Sequence, residues 1–311
     1  MKAVAFEYAR PDTLADACSL LAAHGPDAKL IAGGQSLVPI MAMRLARPAW
    51  LIDINRLGEL QGVAAGAAAA AGKDGTLVVG AGVRQCTLEC DPIARAGVPL
   101  LARALRWVGH VQTRNRGTIG GSIVHGDASA ELPLVACVLD AVLALHDSAA
   151  VNEVAAREFF LAPMITAIAP EQCLAEIRFP VWTETAGGAR QGCAFEEVSV
   201  RHGDFALVSA CAQVILDADG RCLRAALGIG GAAPVPLALP QLNARLVGAL
   251  LDERTIADAA GAVGDLIDPE GDLHATADYR RHLARVLTAR VLRAAREDAM
   301  RAPGAASAEK R

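Results

Sequence analysis

Apolar and polar positions alternate along this chain in short blocks, and their spacing divides it into small elements. Val4-Ala5-Phe6-Glu7-Tyr8 predicts a short strand, broken by Arg10-Pro11-Asp12. Leu14, Ala17, Leu20 and Leu21 then recur on one helical face, with Asp12 or Thr13 to cap a helix that runs to His24 and ends at Gly25-Pro26-Asp27. Lys29-Leu30-Ile31 and Trp50 to Ile54 read as strands, as does Thr76 to Gly80 after a Gly-Lys-Asp-Gly turn. Thr87 to Ile93 starts a helix. A longer one runs from Pro99 to about Val108, with Leu100, Leu101, Ala104, Leu105 and Val108 as its stripe. Glu131 to Leu139 is helical, Ala141 to His146 suits a strand, and Leu174 to Pro180 is a strand stopped by its proline. Further on, Cys193 to Arg201, Ala206 to Leu216 and Cys222 to Ile229 predict strands joined by short turns. Helices follow over Thr255 to Leu266 and Ala277 to about Met300.

Glycine punctuates this pattern at two places. Ile31-Ala32-Gly33-Gly34-Gln35-Ser36-Leu37 follows a strand, and its bare backbone can take positive φ and come close to a ligand. Successive N–H groups in such a turn converge on anions, and Gln35 and Ser36 add side-chain donors. Thr118-Ile119-Gly120-Gly121-Ser122 repeats the logic with hydroxyl residues on either side. A Gly-Gly pair alone is an ordinary turn signal; two such loops together favour a ligand with two phosphates. The opening β-α-β pattern is not a Rossmann fingerprint, because the glycines read GGQS instead of GxGxxG and Pro39 stands where a phosphate-binding helix would begin.

Composition excludes several classes. Hydrophobic content of 53% against 21% charged residues describes a globular chain with ample core, and a net charge of −4 offers no field for nucleic acid. The eight cysteines are scattered without a CxxC pair, which suits buried, reduced thiols and a cytoplasmic location. No signal pattern opens the chain, and the alanine run from Ala64 to Ala71 is too short to span a membrane. No HExxH, other zinc spacing or Ser-His-Asp order is present. A composition shift over Thr183 to Gly188 divides the chain into domains 1–182 and 188–300, with a subdomain break near 55–62 and a disordered tail over 301–311.

The blocks AGGQSL at Ala32–Leu37, RNRGTIGGS at Arg114–Ser122, HGDASAELP at His125–Pro133, RHGDFALV at Arg201–Val208 and DLHATADYRRHL at Asp272–Leu283 carry a resemblance. In composition and order they resemble the FAD-binding medium subunit of the molybdenum hydroxylases, the carbon monoxide dehydrogenase and xanthine dehydrogenase family, over nearly the whole chain. The resemblance implies an α+β architecture: a two-subdomain FAD-binding fold of the vanillyl-alcohol-oxidase (PCMH) type, then a small α+β domain of antiparallel sheet plus helices. It implies an FAD diphosphate wrapped by Ile31, Ala32, Gly33, Gly34, Gln35, Ser36 and Leu37 together with Thr118, Ile119, Gly120, Gly121 and Ser122. Asp127 and Glu131 fall on polar positions of the cofactor loop, suited to ribose hydroxyls; Ile168 and Val108 fall beside the flavin. Glu196 falls where xanthine dehydrogenase-like members have a lysine near the flavin, so a lower flavin potential is expected.

The implied function is electron transfer. The chain carries FAD in a heterotrimer, doubled to a dimer of trimers, beside a small subunit with 2Fe–2S clusters and a large subunit holding a molybdenum–pterin centre. No residue of this chain need be catalytic. The alternative is a self-contained flavin-dependent oxidoreductase, and a third reading is a partner-binding module with vestigial loops. Outside the motifs, His110 and His125 read as structural, Arg114 and Arg116 as either cofactor or solvent contacts, and Asp204 as a turn cap. Tyr279-Arg280-Arg281 and the charges from Arg290 to Asp298 read as solvated helical faces.

Overall fold

The computed structural model describes residues 2–66, 75–183 and 188–301. The later part of the alanine run, most of the turn before Thr76, the centre of the proposed domain break and the tail from 302 lie outside them.

The first subdomain is a parallel sheet of β1 (Glu7–Ala9), β2 (Ala28–Ile31) and β3 (Trp50–Asp53) in the order β1-β3-β2. The Leu14–His24 helix lies against it, capped by Thr13, whose hydroxyl accepts from the Asp16 N–H at 3.1 Å. Its apolar stripe (Leu14, Ala17, Cys18, Leu21) packs with Ile52, Ile54, Leu57 and Leu60. The register sets Ile31 opposite Asp53, so the glycine turn after β2 and the polar turn after β3 leave the sheet side by side.

The second subdomain is an antiparallel sheet of β4 (Val63–Ala65), β5 (Gly75–Gly80), β6 (Val142–His146), β7 (Val151–Ala155) and β10 (Cys173–Val181), ordered β4-β5-β10-β6-β7. A small hairpin, β8 (Phe160–Ala162) and β9 (Ile165–Thr166), precedes β10. Pro180 does not stop β10: β6 pairs only as far as Arg178, so the proline stands where the strand has β5 alone as its neighbour. The predicted helix over Thr87–Ile93 is two helices, Gln85–Cys90 and Pro92–Gly97, because Asp91 caps the second through the N–H groups of Ile93 and Ala94 and Pro92 opens it. The helix from Pro99 ends at Leu105, short of Val108. Its continuation tightens into i→i−3 bonds, Trp107 N–H to Ala104 O (2.9 Å) and Val108 N–H to Leu105 O (3.3 Å).

The third unit is the antiparallel sheet β11 (Arg190–Ser199), β12 (Ala206–Leu216), β13 (Cys222–Gly230) and β14 (Leu237–Ala238). Its strands alternate between two cores. Ala194, Ala210, Ala212 and Val214 face the Ala277–Met300 helix, whose Leu283, Leu287, Val291 and Leu292 cover them. Cys193, Phe195, Cys211 and Ile215 join the core of the second subdomain, with Leu100, Leu101 and Leu134. Every residue of β12 is buried because the sheet is covered on both faces. The helical faces expected to be solvated are only partly so: Tyr279, Arg290 and Glu297 are exposed, but Arg280 is buried and donates to the carbonyls of Leu207 and Gly231 and to Asp272. Asp298 likewise accepts from the Cys193 N–H at 3.1 Å and pairs with Arg103.

Candidate cofactor site

The turn after β2 is built for close approach. A Cβ on Gly33 would stand 2.2 Å from the Arg116 carbonyl oxygen, so the turn lies directly on the backbone that leads into the second glycine motif. Gly34 has φ +71°, where a side chain is strained. The Gln35 amide donates back to the Gly33 carbonyl at 3.0 Å and braces the turn. Contrary to the expectation from Pro39, a short helix, Leu37–Ala42, does begin here. Pro39 falls in its first turn, where a backbone N–H has no helical partner to lose. The backbone N–H groups of Gly33, Gly34, Gln35 and Ser36 donate to no acceptor among the described residues. Four consecutive free donors in one tight turn suit an anion.

The second glycine motif is not a loop. Thr118 caps the Ile119–His125 helix, and its hydroxyl accepts from the Gly121 N–H at 3.0 Å. The Ile119 and Gly120 N–H groups donate to Val83 O (3.1 Å) and Ala81 O (2.9 Å), and that of Ser122 to Thr118 O (3.2 Å). Gly120 is required by packing, since a Cβ would stand 2.4 Å from the Ala81 Cβ. This motif presses a helix start onto the second subdomain, beside the first turn. Its protein bonds occupy the N–H groups of Ile119, Gly120, Gly121 and Ser122, whereas that of Thr118 donates to no acceptor among the described residues.

Sequence reasoning missed Tyr8, Asp53 and Asn55, which complete the cleft beside Arg116. A hollow of about 390 Å³ is lined by Tyr8, Ile31–Gln35, Val38, Pro39, Asp53, Asn55 and Arg116. The Tyr8 hydroxyl donates to Asp53 at 2.6 Å, which raises the phenol's pKa above its ordinary value. Partial burial pushes the Asp53 carboxyl up, but the bonds from Tyr8 and from the Asn55 backbone and side chain outweigh it and hold the acid below its ordinary range. Asn55 in turn accepts from Arg84 at 2.6 Å, and Arg84 also donates to the Arg116 carbonyl. The pattern Asp53-x-Asn55 directly after an apolar strand was the available signal. Arg114 braces the same region, donating to Glu89 at 2.9 Å and to the Val108 and Gly109 carbonyls. Arg116 is exposed along the cleft.

The remaining site residues lie away from this cleft. Val108 is buried in the second subdomain's core, and Ile168 packs on the same cluster. Asp127 follows Gly126, a left-handed helix end at φ 67°, and its carboxylate accepts from the Ser129 N–H at 2.8 Å. Glu131 opens the Glu131–Val138 helix. Removal from water pushes its carboxyl up to about 7, with Asp127 adding to the shift and Arg114 opposing it. Glu196 does not face this region: it points to the opposite side of β11, 3.8 Å from Arg290. The acid on the inner face is Glu197, two positions beyond Phe195, which packs on Trp107 at 6.4 Å between ring centroids. His110 and His202 meet edge to face at 6.4 Å. No group of three or more His, Cys, Asp or Glu side chains among the described residues is placed to hold a metal.

A phosphate-sized run of free amides, a polar cleft beside it and an apolar region beyond fit an extended dinucleotide cofactor. The comparisons agree. Residues 4–182 match the family model described as "FAD binding domain in molybdopterin dehydrogenase", and residues 193–295 match "CO dehydrogenase flavoprotein C-terminal domain". The chain belongs to this family of FAD-binding oxidoreductase subunits. It is 36% identical over 292 residues to the 6-hydroxypseudooxynicotine dehydrogenase complex subunit alpha of Paenarthrobacter nicotinovorans, covering 94% of this chain and 95% of that one. With the carbon monoxide dehydrogenase medium chain of Hydrogenophaga pseudoflava it shares 34% identity, over 93% and 96% of the two chains. The crystal structure of quinoline 2-oxidoreductase from Pseudomonas putida 86 superposes with a TM-score of 0.88 at 35% identity, covering 97% of this chain and 100% of the other.

Proposed function

We propose that this chain is the electron-transfer subunit of a molybdenum hydroxylase, placed between 2Fe–2S clusters of a small partner subunit and a final acceptor. A large partner subunit with the molybdenum–pterin centre oxidises the substrate. Support comes from the family, from relatives named as subunits or medium chains, and above all from the free amides of Gly33–Ser36. When bound, FAD supplies chemistry that links one-electron and two-electron steps.

The protein's own work is binding and positioning. Gly33–Ser36 hold the diphosphate by backbone donation, with the Arg116 guanidinium at the cleft to add charge. Ile31, Ala32 and Leu37 set the turn's ends. Thr118–Ser122 set its floor: Gly120 lets the helix seat on Ala81, and the Arg116–Gly117 backbone supports Gly33. Asp127 and Glu131 offer polar contacts further along, and Val108 and Ile168 give the ring system an apolar wall.

The test is the absorption spectrum of the purified chain, alone and co-expressed with its partners, followed by acid release and identification of the flavin. Stoichiometric FAD in the assembled protein is the expected result. A colourless assembly that ignores added FAD would sink the reading.

A further inference from the structure

Gly33 rests on the Arg116 carbonyl, and that carbonyl is itself held by a side chain. It is the last carbonyl of the Val111–Arg116 helix, one of those that a helix end leaves without an internal donor. Arg84 Nη1 donates to it, and Nη2 of the same guanidinium donates to Asn55 Oδ1 at 2.6 Å. Asn55 stands in the turn after β3, in the first subdomain. Its side-chain amide and backbone N–H donate to Asp53 at 2.6 and 2.9 Å, and Asp53 accepts from Tyr8 of β1 at 2.6 Å. The Arg84 backbone belongs to the second subdomain. Bonds from Gln85 N–H to Gly117 O (2.9 Å) and from Ile119 N–H to Val83 O (3.1 Å) fasten the residues on either side of it to the second glycine motif. One half-buried side chain thus joins the polar turn of the first subdomain to the backbone under Gly33. Cohesion of the two subdomains does not depend on it, because Leu14, Ile52, Leu57 and Leu60 share an apolar core with Cys173 and Ala175 of β10. Binding groups need supporting bonds of this kind to stay within about 0.5 Å of their working positions.

Resting on the proposed FAD site, we propose that Arg84 is a positioning residue for the diphosphate: anchored on Asn55, it braces the Arg116 carbonyl beneath Gly33 and so keeps the free amides of Gly33–Ser36 in their binding arrangement. Arg84 acts through the turn and not as a charge on the phosphate. Both of its acceptors are neutral oxygens, one from a side-chain amide and one from a peptide. The planar guanidinium spans two acceptors at once, a geometry that the single ammonium of lysine on its flexible stem does not hold. The two arginines of the cleft therefore divide the work. The exposed guanidinium of Arg116 faces the anion, and Arg84 fixes the Arg116 backbone. Asn55 is the anchor because it is tied on two sides, to Asp53 behind it and to Arg84 in front.

The test titrates FAD into the deflavinated assembly, follows quenching of flavin fluorescence at several salt concentrations, and records the melting temperature without FAD. Arg84→Met, Arg84→Lys and Asn55→Ala should each raise the Kd for FAD by about tenfold, the scale of one lost charge-assisted bond. Arg84→Met combined with Asn55→Ala should do no more than Arg84→Met alone, because both cut the same strut. The melting temperature of the FAD-free protein should stay at the native value. The slope of log Kd against log salt should also stay native in these variants and fall in Arg116→Met, which removes the charge that faces the anion. Recovery of native affinity in Arg84→Lys, additive losses in the double variant, a reduced salt slope in Arg84→Met or native affinity in Asn55→Ala overturns the proposal. A melting temperature that drops in step with affinity overturns it too, since the network then serves the fold and not the site. If Arg84→Met does not fold, Arg84→Lys and Asn55→Ala decide. A native assembly that binds no FAD overturns the site reading and this proposal with it, whereas native binding with unaffected variants overturns the proposal alone.

Discussion

At the scale of single residues, the glycines of the two motifs do different work, and substitution separates them. Gly33 is pinned against the Arg116 carbonyl, so Gly33→Ala forces the turn off its support. Overpacking of this kind costs about 1–3 kcal/mol. Because the free amides sit on that turn, FAD content should fall at least tenfold while most of the fold survives; the ratio of flavin to protein and the melting temperature check this. Gly121 is exposed, and its absent Cβ would meet only the Thr118 hydroxyl, at 2.9 Å. Gly121→Ala should therefore lower FAD content much less. Equal loss in both would show that the second motif also binds by close approach. The acids at the third sheet give a pH prediction with a definite sign. Glu131 and Glu197 have folded-state pKa values raised from 4.5 to about 7 and about 8. Their contribution to stability is thus complete below about 4.5 and is lost as pH rises to about 8. Denaturant titrations across that interval should show stability falling with pH, and Glu197→Gln should flatten the curve. A native curve that rises throughout the interval would contradict the assignment.

Single elements show why much of the fold was legible and the site only partly so. The strands Ala28–Ile31, Trp50–Asp53 and Ala206–Leu216 and the long C-terminal helix were readable because each carries an apolar run or period that matches its geometry. The second glycine motif was misread as a loop because glycine marks both a bare turn and a close helix–sheet contact. Only the position of Ala81, remote in sequence, distinguishes them. Pro39 misled for a related reason, since a proline in a first turn looks like a helix breaker until the start of the helix is known. Arg280 looked exposed because neighbouring positions on its helix are polar and Tyr279 is exposed, yet the Arg280 side chain itself is buried. Its guanidinium satisfies the buried Leu207 carbonyl and reaches Gly231 O (3.0 Å) and Asp272 (2.6 Å). Arg280→Met keeps the stem and removes these bonds, leaving buried acceptors unpaired. About 2–3 kcal/mol of destabilisation follows for the loss of charge-assisted bonds, measurable as a lowered midpoint in urea with an unchanged slope. A variant within about 0.5 kcal/mol of the native protein would mean that water replaces the guanidinium.

For the whole molecule, the third sheet is the far wall of the FAD-binding domain rather than an appendage. Phe195, Cys193 and Ile215 share one core with Leu100 and Leu134, so the seam between the family's two matched regions is apolar and continuous. Polar contacts fix its register. Arg103, on the Pro99–Leu105 helix, donates to the Cys193 carbonyl and pairs with Asp298 at 2.6 Å, while Asp298 accepts from the Cys193 N–H. Arg224 stacks on Trp182 at 4.0 Å across the same seam. If the ring end of the cofactor lies between these two bodies, loosening the seam should weaken retention of FAD without touching the diphosphate turn. Arg103 is partly exposed, so its ion pair is discounted for solvent screening. Arg103→Ala should speed FAD dissociation by about 3- to 10-fold, equivalent to about 0.7–1.4 kcal/mol. Stopped-flow release into a flavin scavenger reads the rate, and circular dichroism confirms that the sheets persist. Asp298→Asn keeps the acceptor for the Cys193 N–H but not the ion pair, so it should fall between native and Arg103→Ala. If both variants release FAD at the native rate, the seam is held by its apolar core alone, and pocket closure must be sought in the partner subunits.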